Sequence, residues 1–332
     1  MNDIDRRTVI AGGTAAAVMA LLRSAYADAI AATVPARARG APAAGSQRAF
    51  AGNQTVTPLV PGRLYRVGCV VRAERLTWLP QDLDGYEPLN CYVLTDAHNL
   101  VFADMGAPIM LPAVQAAVDM LAGERKVWLS FSRNEADCIG NLGYLLGTCQ
   151  GPTLLFGGAG GILEWINDPH VDMLEVRDFL GRIPIVESRN DSSREIGEIR
   201  LRWMDARLKQ MLMTQWAYES GTGCLFTSEA FGFRHLATAD SPVVIDRARD
   251  LPPVATVARE IAQRANWMRE AQYPDYLRKF EQFFRDNDVR MLAPVHGCVI
   301  RGRDAVAAHV MLLRDAMRAA SALPDTERLR YA

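Results

Sequence analysis

Short apolar segments with the composition of β-strands alternate with amphipathic helical segments through both halves of this chain. β-branched and aromatic residues predict strands at 64–71, 90–94, 99–104, 126–131, 153–156, 197–202, 215–218 and 224–227. Apolar residues at helical spacing predict helices at 112–121, 139–146, 276–284 and 304–320. Because such alternation is typical of sheets covered by helices, the sequence predicts an α/β layered domain.

The charge and composition of the chain argue against nucleic acid and membrane as partners. The chain has 332 residues with 37 basic and 38 acidic side chains, and no Lys/Arg stripe that would neutralise phosphates. We therefore expect no nucleic-acid partner. After the first thirty residues, no apolar run reaches the roughly 20 residues of a membrane-spanning helix, so we expect no membrane span in the mature chain. Six Cys without a C-x-x-C pair leave disulfide pairing unspecified.

The first thirty residues have the pattern of a cleaved export signal. Arg6 and Arg7 precede a Gly/Ala-rich apolar stretch at 11–22, which has no polar face and is too short to cross a bilayer. The stretch is followed by the small-residue motif Ala25-x-Ala27. This segment resembles a twin-arginine signal, which implies export of the folded protein to the periplasm.

The composition changes twice along the chain and divides it into three parts. We assign residues 1–29 to the twin-arginine export signal. Residues 30–61 are rich in Ala and Pro with almost no large apolar side chain, so they are predicted to be a disordered linker. Residues 62–325 are predicted to form one folded domain.

A polar loop follows the apolar strand at 126–131, in the place where catalytic side chains tend to gather. It consists of Ser132-Arg133-Asn134-Glu135-Ala136-Asp137-Cys138. The loop resembles the H-x-E-x-D-H loop of the metallo-β-lactamase fold, as found in the diiron domain of flavodiiron and oxygen-binding diiron proteins. The resemblance implies an αββα sandwich.

Five further segments match this family in the family's order, from about residue 62 to residue 301. They are Asn90-Cys91-Tyr92 for its N-x-Y, Asp104 for its strand-ending aspartate, 201–205 for L-H-W-P-D, 225–232 for L-F-S-x-D-x-F-G and 293–297 for P-x-H-G. Any one of these motifs is weak by itself. Their common order makes the resemblance fairly specific.

The resemblance also implies positions for the metal ligands, and several of them are changed. Carried over, the first site becomes Arg133, Glu135 and Arg202, the second becomes Asp137, Cys138 and His296, and the bridging residue becomes Glu229. A guanidinium has no lone pair to donate, so the first site is expected to hold no metal. The second set could bind one Fe or Zn ion.

Two functions of different classes follow, with a third ranked below them. The first is an exported oxidoreductase-like metalloprotein in which Arg133, Arg202 and Glu135 act with one metal on a small anionic ligand. The alternative is a binding or accessory module without metal, in which an Arg/Glu network has replaced the ligands. The third is a metal-dependent hydrolase, ranked lower because zinc hydrolases of this fold usually keep the H-x-H-x-D-H loop.

Several other features bear on cofactors and partners. No flavodoxin-like segment follows Arg301, so we expect no flavin, and no P-loop or dinucleotide motif is present. Among the remaining histidines, only His235 is one that we would reconsider as a ligand. A homodimer is left open.

The export signal makes a direct prediction. The twin-arginine pathway reads the paired arginines as an address rather than as charge, so Arg6→Lys combined with Arg7→Lys should leave uncleaved precursor in the cytoplasm. Fractionation with immunoblotting of the wild-type and double-variant proteins measures this. Export of the double variant at the wild-type level would show that the segment is not a twin-arginine signal.

Overall fold

Two seven-stranded sheets form the centre of the molecule in the computed structural model. The structure describes residues 52–76, 79, 84–156, 184–209, 214–249, 251–264 and 273–322, which all belong to one compact unit. The predicted export signal lies outside the described residues, as does most of the predicted linker.

The first sheet has its strands in sequence order. They are β1 (Gly52–Val60), β2 (Leu64–Arg72), β3 (Tyr86–Thr95), β4 (Asn99–Ala103), β5 (Lys126–Ser130), β6 (Thr153–Phe156) and β7 (Ile185–Glu187). Strands β1 to β4 pair in antiparallel fashion, whereas β4 to β7 pair in parallel. The carboxyl ends of β4 and β5 therefore meet at one edge of the sheet.

The second sheet has a mixed order, β12-β14-β13-β11-β10-β9-β8. Its strands are β8 (Ser193–Ile196), β9 (Ile199–Asp205), β10 (Gln215–Glu219), β11 (Cys224–Ser228), β12 (Val244–Ile245), β13 (Met291–Pro294) and β14 (Val299–Arg301). Strand β11 lies parallel to β13, and the residues that follow both strands reach the same edge.

Helices cover the outer face of each sheet. They are α1 (Leu111–Leu121), α2 (Ala136–Ile139), α3 (Leu142–Thr148), α4 (Val254–Arg264), α5 (Tyr273–Asp286) and α6 (Arg303–Ser321). Helices α1 to α3 pack with the first sheet, and α4 to α6 pack with the second. In the described part of the chain, no helix is long and apolar enough to cross a membrane.

The apolar core lies in three layers because side chains alternate between the two faces of each strand. On β4, Leu100 and Phe102 face the α1 side, whereas Val101 faces the second sheet. Trp203 and Phe226 meet Val101 in the layer between the sheets. The result is the αββα sandwich that the sequence predicts.

The predicted linker at 30–61 is wrong in its last residues, because β1 begins at Gly52. Its partner is β2, with Val56 opposite Val67. An edge strand is held by backbone hydrogen bonds to one neighbour, so it needs few large apolar side chains. Because this segment has few large apolar residues, its composition did not predict the strand.

The predicted helix at 139–146 is also interrupted, at Gly140 and Asn141. The Asn141 amide donates hydrogen bonds to the carbonyls of Met105 and Ala107 at 2.8 and 2.9 Å. A Cβ on Gly140 would lie only 2.3 Å from Pro108 Cδ. The break brings helices α2 and α3 close against the end of β4.

Candidate functional site

The candidate site lies at the edge of the sandwich where β4, β5, β11 and β13 end. Asp104 follows β4, and its backbone N–H donates to the Ser130 carbonyl at 2.8 Å. The Asp104 carboxylate accepts the Ser132 N–H at 2.7 Å, which fixes the start of the polar loop. Asp104 and Ser228 both have positive φ, at 60° and 55°, so the chain turns sharply at two of these strand ends.

His296 is held between the sheets by hydrogen bonds from the matched segment Asn90-Cys91-Tyr92 to the backbone around it. The Asn90 amide donates to the carbonyls of Pro294 and Gly297, both at 2.8 Å, and the Tyr92 hydroxyl donates to Pro294 at 2.6 Å. Gly297 has φ 80°, and a Cβ there would lie 2.8 Å from the Gly232 carbonyl oxygen. The turn that carries His296 therefore requires glycine.

The guanidinium of Arg133 occupies the centre of the site. Its nitrogens reach five side chains: Glu135, Asp137, Ser228 Oγ at 2.5 Å, His296 Nε2 at 3.3 Å and Glu229 Oε2 at 3.6 Å. His296 Nε2 also lies 2.7 Å from Asp137 Oδ2. One cation therefore joins the polar loop, the end of β11 and the β13–β14 turn.

Burial and charge act together in this network. Only 2% of the Arg133 side chain is exposed, and burial lowers its pKa, but the charge of Asp137 and the other acidic neighbours raises the pKa well above its usual value. Burial alone would raise the pKa of Asp137. The Arg133 charge and the hydrogen bond from His296 outweigh that effect, so the pKa lies below its usual range. Burial also raises the pKa of Asp104 to about 6.

The structure brings together six of the seven side chains that the sequence predicts for the site, namely Arg133, Glu135, Asp137, Cys138, Glu229 and His296. Arg202 has other surroundings. Sequence reasoning also missed Ser132 and Ser228, whose hydroxyls share a hydrogen bond of 2.8 Å beneath the guanidinium. Ser228 lies next to Glu229 in the matched segment, at the predicted end of a strand. That position was a signal in the sequence that Ser228 belongs to the site.

Cys138 lies between the site and the apolar layer that packs with α1. It is fully buried, its Sγ lies 3.5 Å from Ser132 Oγ, and its thiol is hydrogen-bonded to the Asp137 side chain. Burial raises the pKa of the thiol well above its usual value, although the Arg133 charge opposes this. In the metal-free site this group is therefore a thiol.

Arg202 lies on the opposite face of β9 from the position expected for it. Leu201 and Trp203 point into the layer between the sheets, so the intervening side chain points outward. Its guanidinium donates to Asn287 Oδ1 at 2.6 Å. The prediction that Arg202 stands beside Arg133 is wrong because strand alternation, readable from the buried neighbours, directs it to the α5 side.

The arrangement does not fit the metal site that the resemblance implies. No group of three or more His, Cys, Asp or Glu side chains in the described ranges is placed to hold a metal ion. Arg133 lies among Asp137, Glu229 and His296, where it contacts each of them.

A second buried charge cluster lies nearby, around the histidine singled out for reconsideration. His235 Nδ1 pairs with Glu87 of β3, and Nε2 lies 3.2 Å from Glu260 of α4. Burial lowers the His235 pKa, but the Glu87 charge and the Glu260 hydrogen bond raise it to about 10. The imidazolium therefore links the first sheet to a helix on the far side of the second.

Comparison with solved structures agrees with this architecture at low sequence identity. Rubredoxin oxygen:oxidoreductase from Desulfovibrio gigas superposes with a TM-score of 0.58 and 16% identity, over 80% of this chain and 62% of that protein. The Giardia intestinalis flavodiiron protein gives 0.55 and 15%, over 80% and 60%. A diflavin flavoprotein fragment from Nostoc sp. PCC 7120 gives 0.55 and 15%, over 80% and 96%.

This chain has the metallo-β-lactamase-like fold of flavodiiron proteins. No family model and no curated protein sequence matches it. The chain spans about three fifths of the length of the Desulfovibrio and Giardia proteins. At this identity, the comparisons establish the fold, and the function has to be argued from the site itself.

The Arg133 network predicts a contrast between the two arginines. Arg133→Met should lower the free energy of unfolding by about 3–5 kcal/mol, because it leaves buried carboxylates without their cation. Arg202→Met should change it by less than about 1 kcal/mol, because the Arg202 side chain is exposed. Urea unfolding at neutral pH measures both. Equal losses would contradict the central position of Arg133.

The His235 cluster predicts a pH dependence of stability. The pKa is raised above that of the unfolded chain, so the stabilisation is complete below about pH 6.5 and is lost as the pH rises toward about 10. His235→Gln should remove a pH-dependent contribution on the order of 2–4 kcal/mol. Unfolding from pH 6 to pH 10 tests this, with exposed His98→Gln as the control. A His235→Gln curve parallel to wild type would refute the assignment.

Proposed function

We propose that this protein is a metal-independent binding or accessory module with the fold of flavodiiron proteins. The observation that carries the proposal is the position of the Arg133 guanidinium, in contact with Asp137, Glu229 and His296. These are three of the four ligands that the family resemblance implied for a retained metal. A fixed cation now supplies positive charge at this place without an ion.

The charge balance of the network argues against the small anionic ligand that the sequence suggested. One guanidinium faces three carboxylates, those of Glu135, Asp137 and Glu229. The carboxylates around Arg133 therefore outnumber its single positive charge. An anion would meet repulsion here, so recognition at this edge favours a neutral or cationic group.

Glu135 is the residue through which such recognition would occur. Its side chain is 32% exposed, compared with 2% for Arg133 and 14% for Asp137. The network holds this carboxylate in one orientation at the surface of the sandwich edge. In this view, the buried members organise the loop, and Glu135 presents charge to a partner.

A metalloprotein with one Fe or Zn ion is the second candidate. Asp137 and His296 lie side by side, and Asp137 Oδ1 is buried without a hydrogen-bond partner in the described part of the chain. The flavodiiron proteins above carry iron by name, which supports redox or Lewis-acid chemistry as the competing function. A metal-dependent hydrolase ranks third, because it also requires the ion.

We further propose export to the periplasm by the twin-arginine route. The support is the paired Arg6 and Arg7, the Gly/Ala-rich stretch and the Ala25-x-Ala27 motif. This route moves folded proteins. It therefore suits a domain in which a buried ion network forms only when the two sheets have folded together.

Metal content distinguishes the first two candidates. Protein purified from its exported form should contain well below one metal per chain, and a chelator should leave its thermal midpoint unchanged because no ion contributes to folding. Elemental analysis and thermal unfolding give both readings. Arg133→His provides a matched variant, since replacing the guanidinium with imidazole should create zinc affinity. One firmly bound Fe or Zn per wild-type chain would overturn the proposal in favour of the metalloprotein.

A further inference from the structure

A cleft of about 380 Å³ opens between the outer face of β9 and the C-terminal part of α5. We call it the Arg202 cleft, and its charged and apolar walls include Arg202, Arg207, Met204, Phe283 and Asp191. Its volume lies in the range of small-molecule sites. It shares no residue with the Arg133 network, so it raises a separate functional question.

Arg202 is held rigidly in the wall of this cleft. Its guanidinium lies 5.8 Å from the Tyr218 ring centre and 5.9 Å from that of Phe283, and it donates to Asn287 at 2.6 Å. Asn287 is in turn anchored, because its amide donates to the Phe283 carbonyl at 2.7 Å. Two aromatic rings and one hydrogen bond contact the guanidinium, and most of its N–H donors remain available to a ligand.

Arg207 is a second cation in the wall of the Arg202 cleft, and it is half-buried. Its Nε is buried and has no hydrogen-bond partner among the described residues, so a ligand in the cleft does not reach that atom. The charge of the guanidinium still acts on an anion that enters the cleft.

The remaining walls define what else a ligand must carry. Lys279 lines the cleft but is already paired with Asp275 at 2.8 Å. Asp191 and Asp286 also line it, which keeps its net charge low and disfavours a long polyanion. Met204 and Phe283 add an apolar surface beside the arginines.

We propose that the Arg202 cleft binds a small organic anion, with its carboxylate or phosphate group between Arg202 and Arg207 and its apolar body against Met204 and Phe283. A guanidinium binds carboxylate or phosphate oxygens through two parallel N–H bonds, and two arginines line this cleft. The site goes beyond the proposed function, because it does not depend on whether the Arg133 network holds a metal.

Isothermal titration calorimetry of the mature chain tests the proposal with phenyl phosphate as the probe. Wild type should bind it with a dissociation constant below about 1 mM, and inorganic phosphate should bind at least about fivefold more weakly because it lacks the apolar body. Arg207→Gln and Arg202→Gln should each weaken binding by about tenfold or more. Asp191→Asn should strengthen it severalfold by removing a competing negative charge.

Arg285→Gln is the matched control, because it removes an exposed arginine from α5 without touching the cleft. It should leave the affinity unchanged. Circular dichroism of each variant verifies folding. Absence of binding by folded wild type at about 10 mM probe, or equal affinities for wild type, Arg207→Gln and Arg202→Gln, would overturn the proposal.

Discussion

The ion network around the Arg133 guanidinium determines how the ends of four strands are arranged. Strand ends in a sandwich of this kind expose backbone and side-chain dipoles that need a common partner, and in diiron domains the resemblance assigns that task to metals. Here a buried cation contacts carboxylates from the polar loop and from the end of β11, together with the imidazole of the β13–β14 turn. At this edge, an ion network therefore joins segments from both sheets, beside the apolar layer that packs between them.

Uncharged side chains hold the members of the Arg133 network in place. Asn90 and Tyr92 of the first sheet bind the carbonyls around His296, so the turn stays in register with β3. The Ser132 and Ser228 hydroxyls fill the space below the guanidinium. These hydrogen bonds explain in physical terms why the N-x-Y and P-x-H-G motifs occur together. The first motif positions the turn formed by the second, whether or not a metal is present.

The sequence and the structure disagree most at residues whose direction depends on neighbours. Arg202 was assigned to the site from a motif match, yet Leu201 and Trp203 occupy the interior face of the same strand. The chain position was right and the side-chain direction was wrong, because a motif records order along the chain and not which face a residue occupies. Strand β1 was missed for a different reason, since edge pairing depends on backbone hydrogen bonds and leaves little trace in composition.

Local periodicity in the sequence determined the layered α/β class and most strand and helix positions. The grouping of Arg133, Glu135, Asp137, Glu229 and His296 at one edge came from the resemblance to the diiron family, which rests on the order of the motifs along the chain. Only the tertiary structure decided that the guanidinium lies inside the ligand set, and that Arg202 and Arg207 share a cleft on the other face. Those outcomes depend on distances between segments far apart in the chain, which no local pattern encodes.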